Sequence, residues 1–196
     1  MSSETIASIR AAIVAAPANR AFVAAGAQPV FTADPRARIL VVGQSPGRQA
    51  QDNALPWSDA SGERLREWLG VDERTFRAPE SFAFLSMDFF YPGRGPSGDL
   101  PPRRGFAQTW HPRILRTMPE LRLTLLIGGY AQRHYLGRRG GATLTQTVRD
   151  FAAFGPEIVP LVHPSPRNTA WQQRNPWFAA ELLPVLRERV AAALAP

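Results

Sequence analysis

An apolar run that stops in a turn, Arg38–Gly47 (RILVVGQSPG), most narrows what this chain can fold into. Ile39, Leu40, Val41 and Val42 show no polar alternation, so the strand they predict is buried on both faces, as in a parallel sheet covered by helices. Gly43-Gln44-Ser45-Pro46-Gly47 then forces a tight turn at its carboxyl end. In open α/β sheets that end is where ligands bind. Gln44 and Ser45 are thus presented at the lip of a crevice.

The rest of the chain supports such a sheet. Thr5–Ala16 reads as a helix that stops before Pro17, and Ala18–Pro35 as a loop-rich approach to the first strand. Arg48–Asp59 reads as an ordered loop, and Ser61–Leu69 as a helix with Leu65, Trp68 and Leu69 on one face. Ser81–Phe90 has strand length and is broken only by Asp88. Tyr91–Gly105 carries too much proline and glycine for regular structure. A short helix follows over Trp110–Met118, with Pro112 suited to its first turn. Leu121–Gly129 is a third strand, Tyr130–Leu136 and Thr143–Phe151 are helices, and Glu157–Val162 is a fourth strand. His163-Pro164-Ser165-Pro166-Arg167-Asn168 closes that strand in a second special turn, before a long terminal helix over Trp177–Leu194 kinked at Pro184. Strands alternating with helices predict an α/β, three-layer αβα architecture around a four-stranded parallel sheet. With no linker or repeat, residues 1–196 read as one domain.

Composition narrows the class further. The chain has no cysteine, which excludes disulfides, thiolate zinc sites and cysteine-ligated iron–sulfur clusters and fits a cytoplasmic location. No stretch approaches the ~18 apolar residues of a membrane span, and the N-terminus lacks the basic start of a signal peptide. The net charge is +7, and all 23 basic residues are arginine. Arginine suits bidentate phosphate contact, and a positive surplus favours nucleic acid; a GC-rich coding bias accounts equally well for the missing lysine.

No phosphate-binding glycine loop or dinucleotide fingerprint is present. His111, His134 and His163 stand too far apart in sequence for metal-ligand spacing, so neither cofactor nor metal is expected. Gly43–Gly47 matches the Gly-x-Ser-x-Gly pattern of α/β hydrolases. Pro46 argues against that chemistry, because the oxyanion hole needs the N–H of the residue after the nucleophile and proline has none. The two strand-end turns are more informative as a pair. A parallel sheet places both at one edge, together with Asp88 and Trp57, and the resulting pocket suits a planar heterocycle stacked on the indole.

At this point the chain resembles the uracil-DNA glycosylase superfamily. GQSPG is similar to the GQDPY of the prototype uracil glycosylases and the GEAPG of the thermophilic iron–sulfur branch (family 4). Leu55–Gly62, LPWSDASG, is similar in spacing to the R-P-F-V-G-R-A-G that ends the same loop in that branch. HPSPRN is similar to the second motif of the single-strand-selective monofunctional enzymes, and LTLLIGGYAQRHYLG to the superfamily's third-strand pattern. The likeness runs from about Arg38 to Asn168.

The resemblance implies an enzyme that flips a deaminated base out of DNA and hydrolyses its N-glycosidic bond, working as a cofactor-free monomer. It implies that His163 donates to uracil O2, aided by backbone amides around Gln44, and that Trp57 stacks under the base. Gly43, Ser45, Pro46, Gly47 and Asp88 complete the pocket, with Asp88 at the asparagine position that reads the base edge. Ser165, Pro166, Arg167, Asn168 and Arg48 would engage DNA, and Arg94, Arg103 and Arg104 are further phosphate candidates. Two departures follow. Ser45 replaces the water-activating aspartate of the prototype enzymes, which leaves Asp59, ahead of Asp52, as the carboxylate, and Asp88 replaces the asparagine, so it can accept from N3–H of the base but would repel O4 unless protonated; the family 4 cluster also cannot form. The alternatives are a weak or inactive nucleic-acid-binding relative and an unrelated hydrolase that uses Ser45.

Overall fold

The computed structural model describes residues 4–96 and 98–196. Its strands are β1 (Ile39–Gly43), β2 (Phe82–Ser86), the two-residue β3 (Arg94–Gly95) and β4 (Gly98–Asp99), β5 (Leu123–Ile127) and β6 (Ile158–Leu161). Four of them form a parallel sheet in the order β2-β1-β5-β6, while β3 and β4 pair antiparallel. The helices are α1 (Ile6–Ala15), α2 (Arg20–Ala24), α3 (Arg48–Asp52), α4 (Ala60–Leu69), α5 (Glu73–Arg77), α6 (Phe106–Leu115), α7 (Gly128–Leu136), α8 (Leu144–Arg149), α9 (Thr169–Arg174) and α10 (Leu183–Leu194). The three-layer α/β architecture expected from the sequence is the one observed. Among the described residues no single helix is long and apolar enough to cross a membrane.

Both faces of the sheet are buried, which explains why β1 shows no polar alternation. Ile39 and Val41 join Phe82, Phe84, Leu125 and Val159 in a core shared with Leu65 and Leu69 of α4 and Leu186 and Val190 of α10. Leu40 and Val42 point the other way, into a core with Ile9 and Ile13 of α1, Ile114 of α6 and Ala131 of α7. Burying these aliphatic and aromatic side chains, each worth roughly 1.5–3 kcal/mol, is the main force holding the layers together.

Local departures from the sequence reading have identifiable causes. The loop expected over Arg48–Asp59 begins with a helical turn, α3. The strand expected to run to Phe90 ends at Ser86, where its partner β1 ends at Gly43. Helix α6 starts four residues earlier than the Trp110–Met118 reading, after Gly105 in the left-handed region (φ +80°), and leaves Pro112 inside the helix. The turn before α10, Phe178–Leu182, winds more widely than an α-helix. Pro184 has no N–H for the carbonyl four residues back, and the wider turn absorbs the mismatch.

The bend after β2 overturns one expectation directly. Asp88 is fully buried and does not line the recess at the sheet's carboxyl edge. Its carboxylate accepts from the Phe90 amide (3.1 Å), from the Arg103 amide (3.2 Å), and from Arg103 Nε and Nη2 at 2.6 and 2.8 Å. Arg103 Nη1 donates onward to Ala18 O and Asn19 Oδ1, both at 2.8 Å, and the guanidinium lies 4.6 Å from the Phe22 ring centroid. Asp88 therefore ties the N-terminal segment to the end of β2 and does not read a base edge, and Arg103 is committed to this pair, not to phosphate. Removing one partner of such a buried pair strands the other charge and costs about 3–5 kcal/mol. Asp88→Ala is expected to lose stability on that scale, seen as a lower urea midpoint with an unchanged m-value.

Candidate active site

At the carboxyl edge of the sheet, Gln44–Gly47 after β1, Ser86 at the end of β2 and His163 after β6 meet the loop that enters α4. They line a recess walled further by Val30, Ala50, Pro56, Trp57, Asp59 and Ser61. The recess opens outward into a second cavity bordered by Gly98, Asp99, Ser165, Arg167 and Asn168.

Trp57 takes its place through an unusual backbone. Its φ of +55° lies in the left-handed region, which is uncommon for a bulky residue. Two close approaches hold it there. A Cβ on Gly62 would sit 1.9 Å from the Trp57 carbonyl oxygen, and one on Gly43 would sit 3.1 Å from Cζ2 of the indole. Arg77 clamps the turn, donating to Pro56 O at 2.7 Å and to Trp57 O at 3.0 Å. The indole then faces His163, with ring centroids 5.6 Å apart and planes inclined by 30°.

His163 is oriented from its own turn. The Ser165 amide donates to Nδ1 at 3.2 Å, so the neutral ring carries its proton on Nε2. Asn168 Nδ2 donates to the His163 carbonyl at 2.8 Å and fixes the backbone. Burial pushes the His163 pKa below the usual histidine value, against the opposing pull of Asp59 and Asp99. The arrangement is a neutral donor beside an aromatic platform.

Asp59 has two tasks. Oδ1 accepts from the Gly62 amide at 3.0 Å and caps α4, while Oδ2 is turned toward Gly47, 3.8 Å from where a Cβ would stand. Ser45 lines the recess, but no hydrogen bond joins it to His163 among the described residues. The activated serine of a hydrolase needs that bond. Among those residues there is also no cluster of three His, Asp or Glu side chains able to hold a metal ion.

Residues 30–187 match the family model for the Uracil DNA glycosylase superfamily. The chain belongs to that superfamily. Membership supports a glycosylase-type hydrolase of base excision repair, with DNA as its partner.

Against the superfamily reading, the structure gathers Gln44, Ser45, Pro46, Gly47, Trp57, Asp59 and His163 around one recess. Gly43 is a correction: it does not line the recess, because the Trp57 indole covers it. Asp88 lies behind Gln44, donating its amide to the Gln44 carbonyl at 3.3 Å. Ser165 and Arg167 border the outer cavity, and Pro166 and Arg48 are exposed. Asn168, expected at the DNA, spends its side-chain amide on His163. Ser86, Ser61 and Asp99 are lining residues that the sequence reading missed. Ser86 was recoverable in principle: pairing β2 with β1 in register puts it beside Gly43, with Oγ 3.5 Å from a Cβ built there.

Gly62→Ala forces the Trp57 carbonyl to move, since no Cβ fits 1.9 Å from it. The variant is expected to lose roughly 1–3 kcal/mol, as overpacked sites do, and to relieve the ring-current shielding of the His163 protons in ¹H NMR spectra.

Proposed function

We propose that this chain is a monofunctional glycosylase that removes uracil or a related deaminated base from DNA. The observation that carries the reading is the neutral, Nε2-protonated His163 facing the Trp57 indole at the sheet's carboxyl edge. A flipped base stacks on Trp57, and His163 Nε2–H donates to the carbonyl oxygen on which charge develops as the C1′–N bond breaks. The amides of Ser45 and Gly47, which have no protein acceptor among the described residues, add donors of the preorganised kind that stabilise such an anion. The base leaves as an anion and the sugar as an oxocarbenium ion. Asp59, through Oδ2, orients the water that attacks C1′ and takes its proton, the task that Ser45 lacks a carboxylate to perform.

Ser86 supplies the group at the base edge in place of Asp88. A hydroxyl both donates and accepts, so it can face a carbonyl or an amino group. Cleavage of uracil is therefore expected together with cleavage of hypoxanthine or xanthine. Extrusion of the base costs a few kcal/mol. The exposed Arg48 and Arg167, with Arg94 of β3 and Arg104 ahead of α6, supply phosphate contacts toward that cost.

The test is incubation with uracil-, hypoxanthine- and xanthine-containing oligonucleotides, followed by alkaline cleavage at abasic sites. His163→Ala is expected to slow single-turnover excision by about 10²–10³-fold, the usual loss for one preorganised donor. Asp59→Asn keeps a helix-capping side chain and removes only the charge, so it separates the two tasks; a loss of ~10²–10⁴-fold is expected. Binding to DNA without abasic sites would favour a non-catalytic relative instead, and ester turnover abolished by Ser45→Ala would favour a serine hydrolase. The excision rate also depends on His163 staying neutral. Because its pKa lies below the ordinary ~6.5, the acid limb of the rate profile is expected below pH 6.5, at the midpoint of the His163 NMR titration.

A further inference from the structure

Behind the recess lies a second pair of titratable side chains that the reaction above does not use. Ser86 is the last residue of β2, an edge strand of the sheet, so one side of its peptide has no strand partner. Its carbonyl is met by His111 Nε2 at 2.9 Å. His111 lies in α6 with 1% exposure, stacked on the Phe89 ring with centroids 5.7 Å apart and planes inclined by 15°. A carbonyl can only accept, so Nε2 carries the proton and Nδ1 is bare. Tyr135 of α7 reaches that nitrogen with its hydroxyl at 2.7 Å, and so donates to it. A directed chain results, from Tyr135 O–H to His111 Nδ1 and from His111 Nε2–H to Ser86 O.

Its ends are chemically different. One is the half-buried Tyr135 hydroxyl between α6 and α7; the other is the backbone of a residue whose Oγ faces the recess beside Gly43. We propose that His111 and Tyr135 are positioning residues for the excision reaction: by fixing the orientation of the imidazole they hold the Ser86 peptide, and with it the Ser86 hydroxyl, at the base edge of the recess. This rests on the glycosylase reading of the recess. Burial keeps both groups uncharged, lowering the His111 pKa to about 4 and raising that of Tyr135. The neighbouring His134 ring, 6.1 Å from His111, is also held below its ordinary value by burial. The chain therefore keeps one polarity across the neutral range.

Tyr135→Phe deletes a single oxygen and leaves Nδ1 without its donor. The Ser86 carbonyl still selects the Nε2–H tautomer, but the ring loses the contact at Nδ1 that fixes its orientation, and its hold on that carbonyl loosens. The decisive measurement is single-turnover excision from a uracil-containing oligonucleotide by the wild type, Tyr135→Phe, Ser86→Ala and the double variant. Affinity for an uncleavable 2′-fluoro analogue and ¹⁵N NMR of the His111 ring accompany it. Tyr135→Phe is expected to slow excision about tenfold, leave affinity within twofold, and shift the His111 Nδ1 resonance, which loses its donor, while the ring keeps the Nε2–H pattern. In the Ser86→Ala background the same change is expected to have little further effect, because the pair acts through Ser86. His111→Gln, which keeps a donor for the carbonyl, is expected to recover most of the rate lost in His111→Leu. A Tyr135→Phe enzyme at the wild-type rate, or effects that multiply independently in the double variant, would overturn the positioning role while leaving the glycosylase reading intact. A wild type that excises none of the deaminated bases would overturn both.

Discussion

The contact of the Trp57 turn with Gly62 is the constraint around which the site is built. The carbonyl of Trp57 occupies space that any side chain at position 62 would fill, and the indole lies on Gly43, where β1 ends. Strand, turn and helix α4 are thereby locked at one point. Asp59 belongs to the same unit, since the Gly62 amide that accommodates the turn also binds its Oδ1. The aromatic wall and the candidate carboxylate thus share one anchor, so displacing one displaces the other. Backbone strain at Trp57, of order 1–3 kcal/mol for such a conformation, is held by the Arg77 clamp and the packing of α4.

The other walls follow the same pattern of side chains bound to main chain. Asn168 holds the His163 carbonyl and His111 holds the Ser86 carbonyl, while the Gln44 carbonyl takes the main-chain amide of Asp88, whose side chain Arg103 holds. Gln132, buried in α7, donates to the carbonyls of Leu126 and Leu161 at 3.2 and 2.9 Å and ties β5 to β6 just below the His163 turn. Loops at a sheet edge have no ladder of their own, and an unsatisfied buried carbonyl is costly. Meeting that requirement with directional side chains also fixes the loop geometry. Preorganisation of this kind costs no rearrangement at the moment of reaction.

How much of this was legible in the sequence depended on the kind of signal. The apolar runs of β1 and β5, and the special turns after β1 and β6, reported directly on a doubly covered parallel sheet and on the edge where a ligand binds. Trp57, Asp59 and His163 were accessible because motif spacing places them. Asp88 was misplaced for a physical reason: an apolar run with one acid inside looks the same whether the strand continues or bends, and only the partner strand's end at Gly43 stops β2 at Ser86. Arg103, in a Pro/Gly-rich loop, gave no sign that it would lie half-buried among phenyl rings and be matched to a carboxylate 15 residues away. The roles of His111 and Tyr135 were beyond reach, since their meeting requires the packing of α6 against α7, which no local pattern encodes.

The replacement of a carboxylate by Ser45 looks different once the geometry is known. A catalytic carboxylate must be near the reacting carbon with a fixed rotamer; the position in sequence that supplies it is secondary. Asp59 meets the second condition because capping α4 consumes one oxygen and points the other toward Gly47, on the same recess that Ser45 lines. A flexible acid would spread its charge over several rotamers, whereas a capping acid has given up that freedom during folding. A Cβ at Gly47 would stand 3.8 Å from Oδ2, an ordinary contact. Relocating the acid from the first motif to the start of α4 therefore couples the proposed chemistry to the stability of one helix terminus, and through Gly62 to the indole on which the base would stack.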